Sequence, residues 1–336
     1  MSMFCYQCQE AAKGTGCEVI GVCGKKEDVA KLQDLLIYIT KGIGEIVTKG
    51  DINIKMIHEV NENVLKTLFM TITNANFDYN ALEGQICKMI VLRNELKKKI
   101  SITELSDAAI FEFYTKDEMM AKAIEIGVLA TVNEDIRSLR ETIIYGIKGM
   151  AAYVHHALNL QEENIEINKF IYEAMAKVND DSLTIEDLIA LTLKTGEFGV
   201  KAMALLDKAN TAKYGNPEVT KVNIGVSNNP GILISGHDLT DLEQLLEQTK
   251  DSGIDIYTHS EMLPAHYYPF FKKYNNFIGN YGGSWWQQIS DFESFNGPIL
   301  FTTNCIVPPK NPEITKRIFT TGAAGYPTCT HIEPNN

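Results

Sequence analysis

The chain has 336 residues, 45% of them hydrophobic and 22% charged, with a net charge of −12 at pH 7. That composition supports two or three globular domains with ample core, and the surplus of acid excludes a nucleic-acid backbone as partner, since such sites need excess Lys and Arg. No apolar run approaches the roughly 18 residues of a membrane span, and the N-terminus lacks the basic-then-apolar order of a secretory signal, so no membrane is expected and a cytoplasmic setting is.

The first stretch is the most informative. Cys5, Cys8, Cys17 and Cys23, four of the seven cysteines, are threaded with Gly14, Gly16, Gly21 and Gly24. The glycines allow a tight wrap that aims four thiolates at one point. In a reducing compartment clustered cysteines bind metal more often than they pair. A 4Fe-4S cubane tolerates this irregular spacing, whereas a structural zinc site more often shows two similar C-x2-C knuckles, and only Cys5–Cys8 is one. Iron–sulfur is favoured, zinc is second and a disulfide knot last.

After this loop the pattern is helical for most of two hundred residues. Val29, Leu32, Leu35, Leu36 and Ile39 recur at three and four, followed by Ile57, Val60, Val64 and Leu68, then Leu82, Ile86 and Ile90. Cys87 falls within the last stripe and is expected in the core. Ile136, Leu139, Ile143, Ile147, Met150 and Val154 make the most regular series and predict a central helix, with His155 and His156 at its end in a packing or dipole role. Thr184 with Asp187 signals one more helix start, its apolar face continuing through Leu188, Leu191 and Phe198. Six or seven helices are expected up to about Ala209, with no strand among them.

Tyr214-Gly215-Asn216-Pro217 is a turn-rich joint. Beyond it, strands are expected at 231–236, 254–258 and 298–303, and helices at 239–250 and 265–274; such alternation implies parallel β-α units. The expected architecture is multidomain α and α/β: a cysteine loop plus all-helical bundle domain over 1–213, then a Rossmann-like parallel α/β domain over 214–336. His237 follows the first strand, Glu261 the second and Cys305 the third. In an open parallel sheet those strand ends share one edge, where ligands bind, and all three are metal-ligand types. Taken singly, such a His is most often a hydrogen-bonding residue and such a Cys a small buried hydrophobe; the shared edge favours the joint reading. Gly279–Ser284 lacks the context of a phosphate loop. Trp285 and Trp286 are expected to pack beside the sheet, and Cys329 to be a loop thiol.

Several segments together carry a resemblance: CYQCQEAAKGTGC with GVCGK, KLQDLLIY, KGMAAYVHHA, GHDL, HSEMLPAHYYP and TTNCIVPP. From Met1 to its end the chain resembles the hybrid cluster protein family, whose members are also called hydroxylamine reductases or prismane proteins, and its compact cysteine spacing resembles that of members from strict anaerobes. The resemblance implies a 4Fe-4S cluster on Cys5, Cys8, Cys17 and Cys23. It implies also a hybrid iron–sulfur–oxygen cluster whose first three ligands map onto His237, Glu261 and Cys305, making these the expected catalytic residues. The implied activity is reduction of hydroxylamine, or a related N–O species such as nitric oxide, with electrons from a redox donor protein. Family members continue into a further α/β domain that adds cysteines, one of them a persulfide, and a glutamate to the hybrid cluster. This chain is therefore expected to hold three of those ligands on a sheet cut off partway, the rest coming from a missing C-terminal domain or second chain. The alternative is a single-cluster electron-transfer fragment without catalytic activity.

Overall fold

The computed structural model describes residues 3–102 and 104–333. It divides into two compact units, one built mainly of helices and the other from Thr73–Phe77, Asn159–Gln161 and the chain from Asp207 onward.

In the first unit, among the described residues, the helices are α1 (Glu27–Lys49), α2 (His58–Met70), α3 (Tyr79–Lys97), α4 (Asp107–Ile110), α5 (Lys116–Glu125), α6 (Glu134–Asn159), α7 (Ile165–Lys177) and α8 (Ile185–Tyr214), whose last turns pass into the second unit. Their starts follow local chemistry. The Asp78 carboxylate accepts the Asn80 and Ala81 N–H groups, Thr115 and Glu118 form a reciprocal capping box, and Thr184 and Asp187 make the same exchange at α8. α1 is a hub of this unit, and the helix expected over 136–154 is α6, with Ile143, Ile147, Met150 and Val154 buried. Leu32, Leu35, Leu36, Ile39, Ile43 and Ile46 on α1 are fully buried, each worth about 1.5–3 kcal/mol. α2, α3, α4, α5 and α7 all pack on it. Two glycines permit that crowding: a Cβ on Gly42 would lie 2.1 Å from the Ala108 carbonyl oxygen, and one on Gly44 would lie 2.7 Å from that of Tyr172. Cys87 is exposed, not in the core. Leu82, Ile86, Met89 and Ile90 take the buried face of α3, and one further residue turns the side chain about 100° away.

The second unit holds a six-stranded, wholly parallel sheet in the order β3-β2-β1-β4-β5-β6. Its strands are β1 (Gly231–Ser235), β2 (Asp255–His259), β3 (Phe277–Asn280), β4 (Ile299–Phe301), β5 (Ile318–Thr321) and β6 (Thr330–Ile332), with helices α9 (Leu239–Thr249), α10 (Gln288–Ser294) and α11 (Pro312–Thr315) between them. This is the doubly wound order, in which the strand order reverses between β1 and β4 and leaves a crevice beyond their carboxyl ends. Asp238 starts α9 by accepting the Thr240 and Asp241 N–H groups. The helix expected over 265–274 is instead two 3-10 segments, Ser260–Tyr267 and Pro269–Lys273, because Pro264 and Pro269 cannot supply helical N–H donors. Trp286 is 64% exposed and Trp285 half-buried, so neither ring is fully packed beside the sheet. Cys329 sits in the turn before β6, its N–H bonded to the Tyr326 carbonyl. No helix among the described residues is long and apolar enough to cross a membrane.

Candidate metal centres

The N-terminal loop is folded back on itself. Cys5 and Cys17 pair across an antiparallel bridge, Cys5 N–H to Cys17 O at 3.1 Å and Cys17 N–H to Cys5 O at 2.8 Å, yet both remain free thiols. Cys17 is buried with Met3 and with Ala30 of α1. Its sulfur accepts two backbone N–H groups, from Ala12 at 3.4 Å and Val22 at 3.5 Å. The Lys25 ammonium, itself buried, lies 3.9 Å from the Cys5 sulfur. Gly21 leaves room for Cys23, whose sulfur would be 3.0 Å from a Cβ placed there. Burial raises the Cys8 thiol above the ordinary range; a hydrogen bond to the Glu10 backbone opposes this, and Cys23, Cys5 and Cys17 push it up further. Cys8 is thus within electrostatic reach of the other three thiols.

A tether holds the loop. Gln7, between Cys5 and Cys8, accepts the Lys148 ammonium at 3.1 Å; both Lys148 and the Gln7 amide donate to the Thr71 carbonyl, each at 3.3 Å. Burial, followed by the Lys25 charge, lowers Lys148 to about 8.

In the second unit, β1 and β2 run in register to their ends, Ser235 opposite His259, and Ser235 is also opposite Phe301 of β4. His237, Glu261 and Cys305 follow those ends on the crevice side of the sheet. His237 Nδ1 is 3.0 Å from the Thr303 hydroxyl, which ties the ring to the loop that carries Cys305. With Nδ1 so engaged, Nε2 is the nitrogen suited to a metal. Ser260, in the left-handed region at φ 52°, donates its hydroxyl to the Glu261 carboxylate at 2.7 Å. Burial first and the Glu261 charge second push the Cys305 thiol up to about 11. A cation between carboxylate and thiol would reverse both effects.

Three further features were not evident from the residue pattern. His259 is fully buried and donates from Nε2 to Asp291 at 3.2 Å, while burial lowers its pKa against the pull of that carboxylate. The loop after β3 serves this pair: Gly283 N–H donates to Asp291 at 2.9 Å, and Gly282, at φ 74°, leaves no room for a Cβ beside the carboxylate. The glycines therefore hold an internal carboxylate, not a phosphate. The third feature is Gln288, buried at the start of α10 and bonded to the backbone around Cys305. The only signals available beforehand were the spacing His259-Ser260-Glu261 and the Gly-Gly pair.

Among the described residues no three His, Cys, Asp or Glu side chains are closed into a metal-ion geometry. The donor chemistry nonetheless fits iron–sulfur ligation at the first centre, with four free thiols, two backbone N–H donors on one sulfur and an adjacent cation. At the second, an imidazole oriented through Nδ1, a carboxylate and a half-buried thiol that feels it make a mixed donor set suited to iron.

Over residues 3–336 the sequence matches the model of the Prismane/CO dehydrogenase family. The hydroxylamine reductase of Acetivibrio thermocellus is 65% identical over 333 residues, covering 99% of this chain and 61% of the relative. That of Clostridium tetani is 57% identical over 362 residues, covering 99% and 63%. Among solved structures, carbon monoxide dehydrogenase IV from Carboxydothermus hydrogenoformans aligns at 15% identity with a TM-score of 0.40, covering 99% of this chain and 51% of that one. The chain spans about three fifths of the length of these curated relatives.

Proposed function

The chain belongs to the Prismane/CO dehydrogenase family, and we propose that it carries the electron-accepting cluster and three ligands of the catalytic cluster of an iron–sulfur oxidoreductase that reduces hydroxylamine to ammonia and water. Cys5, Cys8, Cys17 and Cys23 would hold a 4Fe-4S cluster, and His237, Glu261 and Cys305 would hold part of a hybrid iron–sulfur–oxygen cluster. The observation that carries the second assignment is topological: these three residues follow the carboxyl ends of β1, β2 and β4, around the reversal point of the sheet. When bound, the iron supplies electrons and a Lewis acid for cleavage of the N–O bond, a step that also consumes two protons.

This chain's own residues prepare that site. Thr303 orients the His237 ring, and Ser260 holds the Glu261 carboxylate, with a hydroxyl that must be released before the carboxylate can shift as a ligand. Thr302, Thr303 and Ile306 are buried and anchor the Cys305 turn, while Cys305 and Glu261 are half-buried and His237 is exposed. A related N–O species such as nitric oxide would use the same donor set. A redox donor protein would supply the electrons, and further ligands would come from the portion of the relatives' length beyond the match or from a second chain.

The test is hydroxylamine-dependent oxidation of a reduced viologen by anaerobically loaded protein of the relatives' full length, compared with Glu261→Gln. Loss of turnover in that variant supports the reading; normal turnover with normal cluster spectra contradicts it. A second reading, a one-cluster electron-transfer protein, is favoured by the unequal donor sets, four thiolates at the first centre against three mixed donors at the second.

A further inference from the structure

The turn that carries Cys305 is gripped from two sides by residues remote in sequence. Gln288, 1% exposed, donates its amide N–H to the Cys305 carbonyl at 3.0 Å and accepts the Val307 N–H at 2.7 Å. Asn74 makes the complementary pair on the residue between: its side-chain amide donates to the Ile306 carbonyl at 2.8 Å, and its own carbonyl accepts the Ile306 N–H at 2.8 Å. Asn74 can do both because it sits in the left-handed region at φ 62°. Its segment, Thr73–Phe77, belongs to the second unit and is itself pinned there: Phe77 N–H donates to Gly325 O at 2.8 Å, Gly325 N–H to Ala75 O at 3.1 Å, and the Asn76 amide to Ala323 O at 3.1 Å.

Four hydrogen bonds on three consecutive residues exceed what an ordinary turn needs. Gln288 uses both ends of its amide on this stretch, and Asn74 uses its side-chain N–H together with its main-chain carbonyl. We propose that Gln288 and Asn74 are positioning residues for Cys305: they fix the peptide groups from 305 to 307 so that the thiol is held in one place before any metal arrives. The proposal deepens the assignment of Cys305 as a cluster ligand and rests on that reading for its purpose, though not for its geometry. Outer partners of this kind are what hold metal ligands in the required orientation.

Two variants separate positioning from general stability. Gln288→Ala removes both bonds to the turn. Asn74→Gly removes only the side-chain donor, because glycine tolerates the left-handed backbone and keeps the main-chain bond. On the iron-depleted whole chain, the anaerobic alkylation rate of Cys305 by iodoacetamide is followed by mass spectrometry beside that of exposed Cys87. The expected result is a rise of about tenfold at Cys305 in each variant, the order set by one net hydrogen bond, with Cys87 unchanged. After reconstitution with iron and sulfide, the variants should keep the cubane signal and lose any second cluster signal seen in the wild type. Cys305 rates within twofold of wild type in both variants would overturn the proposal. If Gln288→Ala speeds Cys87 as well, it has loosened the whole fold, and Asn74→Gly decides on the same readout. A wild type with no second cluster whose Cys305 still responds would retain the positioning role and count against the ligand reading instead.

Discussion

Ser235 and His259 are register partners at the carboxyl ends of β1 and β2, with the serine hydroxyl 3.5 Å from the imidazole Nδ1, and each stands two residues before a candidate ligand. The sheet thus delivers His237 and Glu261 from equivalent positions. On its other side His259 depends on Asp291, which accepts its Nε2–H. Replacing Asp291 by Ala leaves a buried donor without an acceptor and should destabilise the second unit by about 1–3 kcal/mol. Both tryptophans, Trp285 and Trp286, lie in this unit, so fluorescence during urea unfolding reports on it alone.

Acid should weaken the same unit. His266, stacked on Phe277 at 3.9 Å and bonded to the Thr258 hydroxyl at 2.9 Å, is lowered by burial from 6.5 to about 4. The native ring stays neutral while the unfolded chain takes up a proton, so stability is full above about pH 6.5 and is lost as pH falls toward about 4. The loss is on the order of 2–3 kcal/mol. His259, lowered in the same direction, adds to it. Urea midpoints between pH 7 and 4.5 measure the slope, and His266→Gln should flatten it.

The helical unit offers a packing test. A glycine-to-alanine change inside a helix ordinarily stabilises by about 1 kcal/mol. At Gly42 the new methyl would meet the Ala108 carbonyl oxygen at 2.1 Å, so Gly42→Ala should instead destabilise by about 1–3 kcal/mol, read as a lower thermal midpoint.

Lys25 places a buried positive charge 3.9 Å from the Cys5 sulfur and so favours the more negative, reduced form of a cluster held there. Lys25→Met should move the cubane potential downward by tens of millivolts, on the order expected for one nearby charge. Redox titration followed by electron paramagnetic resonance measures the shift, and an unchanged potential would remove Lys25 from the account.

Glu261 raises the Cys305 thiol after burial has done so. In Glu261→Gln the charge disappears and the burial remains, so on iron-depleted protein the pH profile of Cys305 alkylation should shift below about 11 while staying above that of an exposed cysteine.

Much of this arrangement was legible from residue order, for local reasons. The stripe Leu32, Leu35, Leu36 and Ile39 and the exchange between Thr184 and Asp187 are short-range signals, and the structure follows them. Strands expected to end at 236, 258 and 303 end at 235, 259 and 301, within two residues, because the apolar runs that mark them are short-range signals. The failures have physical causes. β3 is four residues with Gly279 inside, and β6 is three largely exposed residues, so neither shows a strand pattern. Prolines 264 and 269 converted an expected helix into 3-10 turns. The grip of Asn74 on Ile306 spans 232 positions, a separation at which residue patterns carry no information about contact.

The most direct test of the two-centre account is iron and acid-labile sulfide per chain on anaerobically purified material, with electron paramagnetic resonance on the same sample. The account predicts a cubane signal from the four N-terminal cysteines, and about eight irons with a second, non-cubane signal once the remaining ligands are supplied. About four irons and a cubane signal alone, with those ligands present, would contradict the assignment of His237, Glu261 and Cys305.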